Sequence, residues 1–195
     1  MIWYFILFQF FFGQETPINT PDTLLYFDIV LKDKVIGQLQ AAKTHQDAKV
    51  LYQSTTNITT RIIKEVNVNY QYHVTFNDNS LKKADVYITV NNKPHAETTT
   101  QWLGNHYVIK QNDSEKSLKQ SINYSTILMY FTEPKNIKHC FSEEDGSLNT
   151  IVPLGNHTYK KINAKGKENI YYYKNGKLNK AEIDGGLIRF QIISK

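Results

Sequence analysis

His139 and Cys140 form the pair in this chain that most directly suggests nucleophilic catalysis, because a histidine can activate a cysteine thiol. Adjacent residues on a strand point to opposite faces, so these two side chains cannot pair directly. A base from another strand would be needed. Cys140 is the only cysteine of the 195 residues, and a free cysteine usually behaves as a small buried apolar residue. We therefore predict no catalytic cysteine.

Glu133 is the carboxylate with the best position for acid–base chemistry, since it follows an apolar segment and precedes Pro134. A carboxylate in apolar surroundings requires a cationic partner. The two arginines of the chain, Arg61 and Arg189, both fall within predicted strands. We predict a structural ion pair of Glu133 with Arg61 or Arg189, and a catalytic carboxylate is the alternative.

Other chemistry-bearing residues show no spacing that indicates a site. The acidic run at 143–145 lies in a predicted turn before Gly146, where we expect the carboxylates to be solvated. Glycine-rich phosphate loops, zinc-ligand spacings and nucleophile elbows are absent from the sequence. The six histidines are separated by more than one helical turn. We predict no metal, no cofactor and no enzymatic activity, with a hydrolase that uses Glu133 or Cys140 as the less favoured alternative.

Aromatic residues give the main indication of binding, because the chain contains 13 Tyr and 10 Phe. Tyrosine suits half-buried strands, where the ring packs inward and the hydroxyl finds a polar partner. Ordinary core and cross-strand packing is the alternative explanation. The residues that we predict to line an apolar, ligand-binding concavity are Trp102, Tyr107, Tyr124, Tyr130 and Tyr172.

The elements that must position these residues are long β-strands. Residues 65–77, EVNVNYQYHVTFN, alternate apolar and polar side chains, and residues 82–92 continue this pattern after a turn,. Gly37 predicts a bulge or a close backbone approach, and Asn175-Gly176 predicts a type I′ hairpin turn. We expect ten to twelve strands and one short helix, Ser125 to Phe131, with Ser125 as a possible N-cap. The predicted class is all-β, with a strongly curved antiparallel sheet that forms a half-barrel or an up-and-down, barrel-like structure.

The two ends of the chain differ in character. Residues 1–12 are almost all apolar, but as a helix they would be too short to span a bilayer. We predict a signal peptide at residues 1–13, a single β domain at residues 14–195 and no stable membrane span after processing. An N-terminal strand or helix that remains and packs is the alternative. The expected location is periplasmic or extracellular.

The net charge of +5 permits weak attraction to anionic surfaces,. The lysines are spread over turns and strand ends and form no stripe that could follow a phosphate backbone. We therefore predict no nucleic-acid partner.

Several ordered motifs resemble a family of secreted Bacteroidota proteins known as domain of unknown function 6134. These motifs are VLKDKVIGQLQA, SINYSTILMYFTEP, FSEEDGSLNTIVPLGNHTY and ENIYYYKNGKLNKAEIDGGLIRFQII, within residues 23–195. The resemblance implies an exported protein with a long antiparallel sheet. The implied fold is distantly similar to periplasmic half-barrels that carry lipids or lipoproteins, and the family contributes no established activity.

Together these patterns predict an exported, non-enzymatic protein that binds a lipid-like or other apolar small molecule in the concavity of a curved sheet. The alternative is a structural or interaction protein of the cell envelope, with a solid core and a protein partner.

Overall fold

The computed structural model describes residues 20–61, 65–185 and 189–195. The predicted signal peptide, residues 1–13, lies outside the described residues. The strands within them are β1 (Thr23–Leu31), β2 (Lys34–Gln46), β3 (Lys49–Arg61), β4 (Glu65–Asn77), β5 (Ser80–Val90), β6 (Lys93–Trp102), β7 (Tyr107–Gln111), β8 (Ser114–Leu118), β9 (His139–Ser142), β10 (Ser147–Gly155), β11 (Thr158–Ile162), β12 (Glu168–Lys174), β13 (Lys177–Asp184) and β14 (Arg189–Ser194). The helix α1 spans Leu128–Phe131.

All of these strands belong to one sheet with the order β8-β7-β6-β5-β4-β3-β2-β1-β14-β13-β12-β11-β10-β9. Each pairing in it is antiparallel, and the contact between β1 and β14 joins two meanders, β1–β8 and β9–β14. Among the described residues β8 and β9 do not pair, so the sheet is not closed into a barrel. The prediction of an all-β, curved antiparallel sheet is confirmed.

The hairpin turns explain why the strands pair with their neighbours along the chain. At five two-residue turns both residues have positive φ. This is the type I′ geometry, whose twist matches that of the flanking strands. The turns are Lys32-Asp33, Asp78-Asn79, Asn91-Asn92, Asn156-His157 and Asn175-Gly176. Asparagine and aspartate tolerate this conformation better than most residues, so the frequent Asn and Asp between apolar runs encode the meander.

The longest strands are β2, β3 and β4, each with 13 residues, or about 43 Å at about 3.3 Å per residue. On β4 the side chains of Val74 and Phe76 are buried, whereas His73 is exposed. The predicted alternation is therefore confirmed. Strand β4 has the bounds of the alternating stretch predicted from the sequence, and Arg61 is the last residue of β3.

The inner face of the sheet forms two adjoining apolar clusters. One cluster contains Phe27 and Ile192, and the other contains Val74 and Phe76. Residues from α1 pack against both clusters, namely Leu128, Tyr130 and Phe131. The segment that connects β8 to β9, which carries α1, thus lies inside the curve of the sheet and joins the two halves of the core.

The helix is shorter than predicted, because it comprises Leu128–Phe131 and its N-cap is Ile127, without a side-chain cap. Ser125 forms an isolated parallel bridge with Phe141 instead. This bridge covers part of the edge of β9, and the opposite edge strand, β8, has the exposed charges Glu115 and Lys116. Covered and charged edges both discourage pairing with other sheets. Within the described ranges no helix combines the length and the apolarity that crossing a bilayer requires.

Gly37 confirms the predicted close approach of two backbones. A Cβ atom at this position would collide with the carbonyl oxygen of Asn57 and would lie 2.9 Å from the Cα atom of Ile58. We expect Gly37→Ala to lower the free energy of unfolding by about 1–3 kcal/mol, because the strands β2 and β3 must separate locally. Chemical denaturation measures this loss. The neighbouring exposed substitution Gln38→Ala is the control and should change stability by less than about 0.5 kcal/mol; equal effects of the two would contradict the prediction.

Candidate functional site

The concave side of the sheet is occupied by residues 119–138, which we name the inner segment. Three of its apolar side chains are almost completely buried: Ile122, Ile127 and Met129. Its backbone is also tied to the sheet, since Leu81 donates an N–H to the carbonyl of Ile122 at 2.8 Å and Phe141 donates to Tyr124 at 2.9 Å. The described part of the chain therefore fills its own concavity.

Tyrosine hydroxyls supply further polar contacts to the inner segment. Tyr107 donates to the carbonyl of Leu81 at 2.9 Å and accepts the N–H of Ile122 at 3.3 Å. Tyr173 donates to the carbonyl of Met129 at 2.9 Å. A backbone segment in an apolar interior must satisfy its N–H and C=O groups there, and these rings satisfy them while they contribute apolar surface to the core.

The five residues predicted to line a ligand concavity occupy three different environments. Tyr107 and Tyr124 are buried in the core, where the hydroxyl of Tyr124 donates to the carbonyl of Thr132 at 2.5 Å. Trp102 and Tyr130 are half-buried and pack against the core clusters. Tyr172 lies on the outer face of β12, where its hydroxyl contacts Glu182 at 3.2 Å. The structure thus brings four of the five to the core and leaves Tyr172 on the opposite side of the sheet.

Tyr172 differs from its neighbours because side chains alternate along a strand. Tyr171 and Tyr173 are both buried in the core, so the residue between them must point outward. There the Nζ atom of Lys180 lies 5.3 Å from the ring centre of Tyr172, within cation–π range.

Glu143 holds the start of the helical turn of the inner segment. Its two carboxylate oxygens accept the N–H groups of Thr126 and Ile127, at 3.0 and 3.1 Å. The first N–H groups of a helix have no partner within the helix, so this carboxylate from the β9–β10 turn acts as the missing cap. Burial raises the pKa of Glu143, and the hydrogen bond from Ile127 and the charge of Lys161 counteract only part of that effect.

The exposure of Glu143 is only 1%, which corrects the expectation that the acidic run at 143–145 is solvated. Only Glu144 is exposed. The physical reason is that the β9–β10 turn is folded into the sheet: the hydroxyl of Thr98 donates to the carbonyl of Glu144 at 2.6 Å, and a Cβ on Gly146 would contact Ile109. Turn composition indicated a loop, but not that the loop would be covered.

The thiol of Cys140 is completely buried, and its pKa is raised. Its exposure is 0%, and burial raises the pKa of its thiol to about 12, so the nucleophilic thiolate is scarce at neutral pH. The thiol contacts the Thr126 hydroxyl at 4.0 Å. Lys161, also buried, donates from Nζ to the same hydroxyl at 3.1 Å. These contacts indicate a structural polar cluster beneath the inner segment.

Glu133 lies at the C-terminal end of α1 in an arrangement that the sequence did not reveal. Its Oε1 atom accepts the hydroxyl of Tyr159 at 2.8 Å and contacts Nδ1 of His157 at 2.9 Å. Its Oε2 atom has no hydrogen-bond partner among the described residues and lies 3.6 Å from Nζ of Lys135. Burial raises the pKa of Glu133, but the bonds from His157 and Tyr159 and the charge of Lys135 outweigh it, so the net pKa is lowered.

The predicted ion pair of Glu133 with an arginine is therefore replaced, as far as the described side chains show, by pairs with His157 and Lys135. Arg189 lies 3.5 Å from Asp184 instead and is largely exposed. The side chain of Arg61 is outside the described part of the structure. The change of partner arises because the β10–β11 hairpin brings His157 over the end of α1, a contact 24 residues apart in the chain.

No group of three potential metal ligands occurs among the described residues. The grooves on their surface include two that involve β1, β13 and β14. One, of about 350 Å³, is lined by charged residues that include Lys32, Glu182 and Arg189. The other, of about 450 Å³, is lined by Leu24, Tyr26 and other residues of β1, β13 and β14. Neither groove contains the aromatic residues predicted from the sequence, and nothing in the sequence pattern indicated either.

The cap by Glu143 is testable by substitution. We expect Glu143→Gln to lower the free energy of unfolding by about 1.5–3 kcal/mol, because an NH₂ group replaces one of the two acceptors and a hydrogen bond to a charged group is lost. Urea denaturation measures this change. The adjacent substitution Glu144→Gln makes the same chemical change at an exposed position and should alter stability by less than about 0.5 kcal/mol. A loss of similar size in both variants would rule out the cap.

The lowered pKa of Glu133 predicts a pH dependence. Since the folded-state pKa lies below the ordinary value of 4.5, the carboxylate contributes stability above that value and loses the contribution as the pH falls through the folded-state pKa. We expect Glu133→Gln to be less stable than the unsubstituted protein near neutral pH and to lose less stability on acidification. Unfolding free energies measured from about pH 6 to about pH 3 test this. Glu97→Gln, an exposed control, should follow the unsubstituted protein; identical acid profiles for all three proteins would contradict the prediction.

Comparison with known proteins gives one match. The chain matches the family model described as Domain of unknown function (DUF6134) over residues 27–195. No curated protein and no solved structure matches it. Because the matched range begins within β1 and ends at the last residue, it includes the inner segment, Glu133 and Glu143. The chain therefore belongs to the DUF6134 domain family.

Proposed function

We propose that this protein is a non-enzymatic binding protein with a solid interior that engages a protein partner at its surface. The observation that supports this proposal is the inner segment, which occupies the concave side of the sheet where an apolar ligand would bind. This favours the interaction-protein alternative over the ligand carrier.

The first argument for a solid interior is the free energy that is gained by burying the inner segment. Ile122, Ile127 and Met129 are each at most 2% exposed, and full burial of such a side chain stabilises by roughly 1.5–3 kcal/mol. A ligand that displaces the segment must replace this burial, the hydrogen bond that Tyr107 accepts from Ile122 and the one that Tyr173 donates to Met129. A small apolar molecule offers no backbone groups to those hydroxyls.

The second argument, which concerns the proposal of a non-enzymatic protein, is the burial of Cys140 and Glu143. Catalysis needs a reactive group that substrate can reach, whereas the thiol of Cys140 is buried and protonated. Both oxygens of Glu143 are bound to backbone N–H groups. Both groups have a structural use that accounts for their position.

An apolar or amphipathic ligand in the concavity is the second candidate function. It is favoured by Trp102 and Tyr130, which remain half-buried at the margin of the core. Trp102 also contacts the ring of Tyr107, with 4.7 Å between the ring centres. A ligand that enters between these rings would have to move the inner segment.

Export to the periplasm or the cell exterior is part of the proposal, and so is a bacterial origin of the Bacteroidota kind. The apolar run at residues 1–12 supports export, and the partner would then be an envelope protein. A sheet of this size needs no disulfide for stability, which is consistent with a chain that has one cysteine.

Native mass spectrometry and titration with the apolar probe N-phenyl-1-naphthylamine distinguish the two functions. We expect the purified protein to have the mass of the polypeptide alone and to bind no stoichiometric probe. Met129→Ala should lose about 2–5 kcal/mol of stability and open a cavity that admits the probe, whereas Leu154→Ala, at an exposed position, should behave like the unsubstituted protein. A lipid that co-purifies at one molecule per chain, and that the probe displaces, would overturn the proposed function.

A further inference from the structure

One line of side chains on the outer face of the sheet is distinguished by its residue types. The strand registers place Tyr26 of β1 opposite Gln40 of β2, and Gln40 opposite Thr55 of β3. Thr55 lies opposite Gln71 of β4, and Gln71 lies opposite Tyr87 of β5. These five residues therefore form a line across five neighbouring strands, which we name the outer row.

The side chains of the outer row point away from the core. Ala41 beside Gln40 and Val86 beside Tyr87 are buried on the inner face, so the residues next to them must face outward. Tyr26 is 49% exposed and Tyr87 is 37% exposed. Because neighbouring strands are about 4.8 Å apart, the two tyrosines are separated by about 19 Å along the sheet. The outer row thus has an exposed aromatic ring at each end.

The polar side chains between the two tyrosines have free hydrogen-bonding groups. Gln40, Thr55 and Gln71 are exposed, and within the described structure their side chains form no hydrogen bond with another residue. The adjacent row differs, because the Asn69 amide donates to the side-chain oxygen of Asn57. An amide offers two donors and an acceptor, and a hydroxyl offers both roles. The outer row therefore presents donors and acceptors that its neighbours do not use.

The outer row carries no formal charge, although the chain contains 23 Lys and Arg and 18 Asp and Glu. The flanking rows on β2, β3 and β4 also lack these four residue types; they consist of Gln38, Asn57, Asn69, Ala42, Gln53 and His73. Beyond Tyr87 the line reaches Glu97 on β6. This carboxylate accepts hydrogen bonds but repels anions. The surface is therefore complementary to a ligand that is polar and uncharged.

We propose that the outer row binds an extended, neutral glycan that runs across the strands. The rings of Tyr26 and Tyr87 stack on sugar rings at the two ends, because the negative face of an aromatic ring attracts the C–H groups on the face of a sugar. Gln40, Thr55 and Gln71 exchange hydrogen bonds with the sugar hydroxyls between them. This inference goes beyond the proposed function, since the glycan is a partner in addition to the protein.

Three other occupants match the outer row less well. A peptide strand needs unpaired backbone groups, whereas β2, β3 and β4 each have a paired strand on both sides. A single-stranded nucleic acid needs basic side chains along its backbone, and the outer row has none. An apolar segment, such as the run at residues 1–12, would leave the amides of Gln40 and Gln71 without partners. A polyhydroxylated chain satisfies both the rings and the amides.

Isothermal titration calorimetry of the purified full chain with cellotetraose and with N-acetylchitotetraose tests the proposal. Both probes are neutral, linear and β-linked. We expect saturable binding of at least one of them, with an affinity that changes by less than about twofold between about 50 mM and about 500 mM salt. A hyaluronan tetrasaccharide is β-linked but anionic and should bind at least about tenfold more weakly. Binding of neither neutral probe, or equal binding of hyaluronan, would overturn the proposal.

Tyrosine variants locate the binding site. Tyr26→Ala combined with Tyr87→Ala should weaken binding of the neutral probe about tenfold. Tyr26→Phe combined with Tyr87→Phe keeps both rings and should alter affinity by less than about twofold. The control Tyr172→Ala makes the same change on the outer face of β12, away from the outer row, and should leave binding unchanged. Thermal unfolding should show that the variants remain folded; equal effects of the double alanine variant and the control would overturn the proposed site.

A second substitution does not depend on the tyrosines. Gln71→Ala should weaken binding about threefold to tenfold, because it removes the hydrogen bonds at the centre of the outer row. The control Gln101→Ala makes the same change at an exposed position of β6 and should have no effect on affinity. A loss of affinity that is the same in both variants would contradict the proposed site.

Two further outcomes would also overturn it. In one, the bound probe shifts the NMR signals of the Tyr172 ring but not those of Tyr26 and Tyr87. In the other, sedimentation shows a dimer that the double alanine variant abolishes while no glycan binds, which assigns the outer row to a second copy of the chain. None of these measurements concerns the interior of the sheet. The probe titration of the concavity therefore tests the proposed function separately, and either idea can fail while the other stands.

Discussion

The structure depends on one constraint: a polypeptide segment placed inside a curved apolar sheet must have its backbone polar groups satisfied there. An unpaired buried N–H or C=O costs about 1–3 kcal/mol, so the inner segment is tolerable only because the sheet supplies partners. Glu143 provides two acceptors, Tyr173 provides a donor, and Tyr107 provides an acceptor for the N–H of Ile122. Without these contacts, the free energy gained by burying Ile122, Ile127 and Met129 would be offset by the cost of burying their N–H and C=O groups without partners.

This constraint accounts for the abundance of tyrosine more directly than ligand binding does. A phenylalanine would fill the same volume but would leave the backbone without a partner, whereas tyrosine combines an apolar ring with a hydroxyl at its far end. It also accounts for the burial of a carboxylate, that of Glu143. Glu143 lies in the interior because the first turn of α1 has no cap of its own, and a charged acceptor makes the strongest hydrogen bonds to such donors. Polar groups in the core of this protein therefore belong to its architecture.

With the concave side filled by the inner segment, the binding that we propose takes place at the surface of the sheet. Long meanders leave few free edges, since β8 bears charges and β9 is covered in part by its bridge to Ser125.

The sequence by itself determined the elements and their local geometry. Alternation over residues 65–77 fixed which side chains share a face, and Asn175-Gly176 fixed a hairpin, because both patterns are expressed between near neighbours in the chain. Gly37 likewise indicated a bulge or a close backbone approach, but the sequence did not show which strand would approach it. Only the tertiary structure decided what fills the concavity, that Glu143 is buried while Glu144 is not, and that Glu133 contacts His157 and Lys135. These outcomes depend on how far the sheet bends and on how the inner segment crosses it. Both are determined by many contacts between residues that are distant in the chain, and no short sequence pattern encodes them.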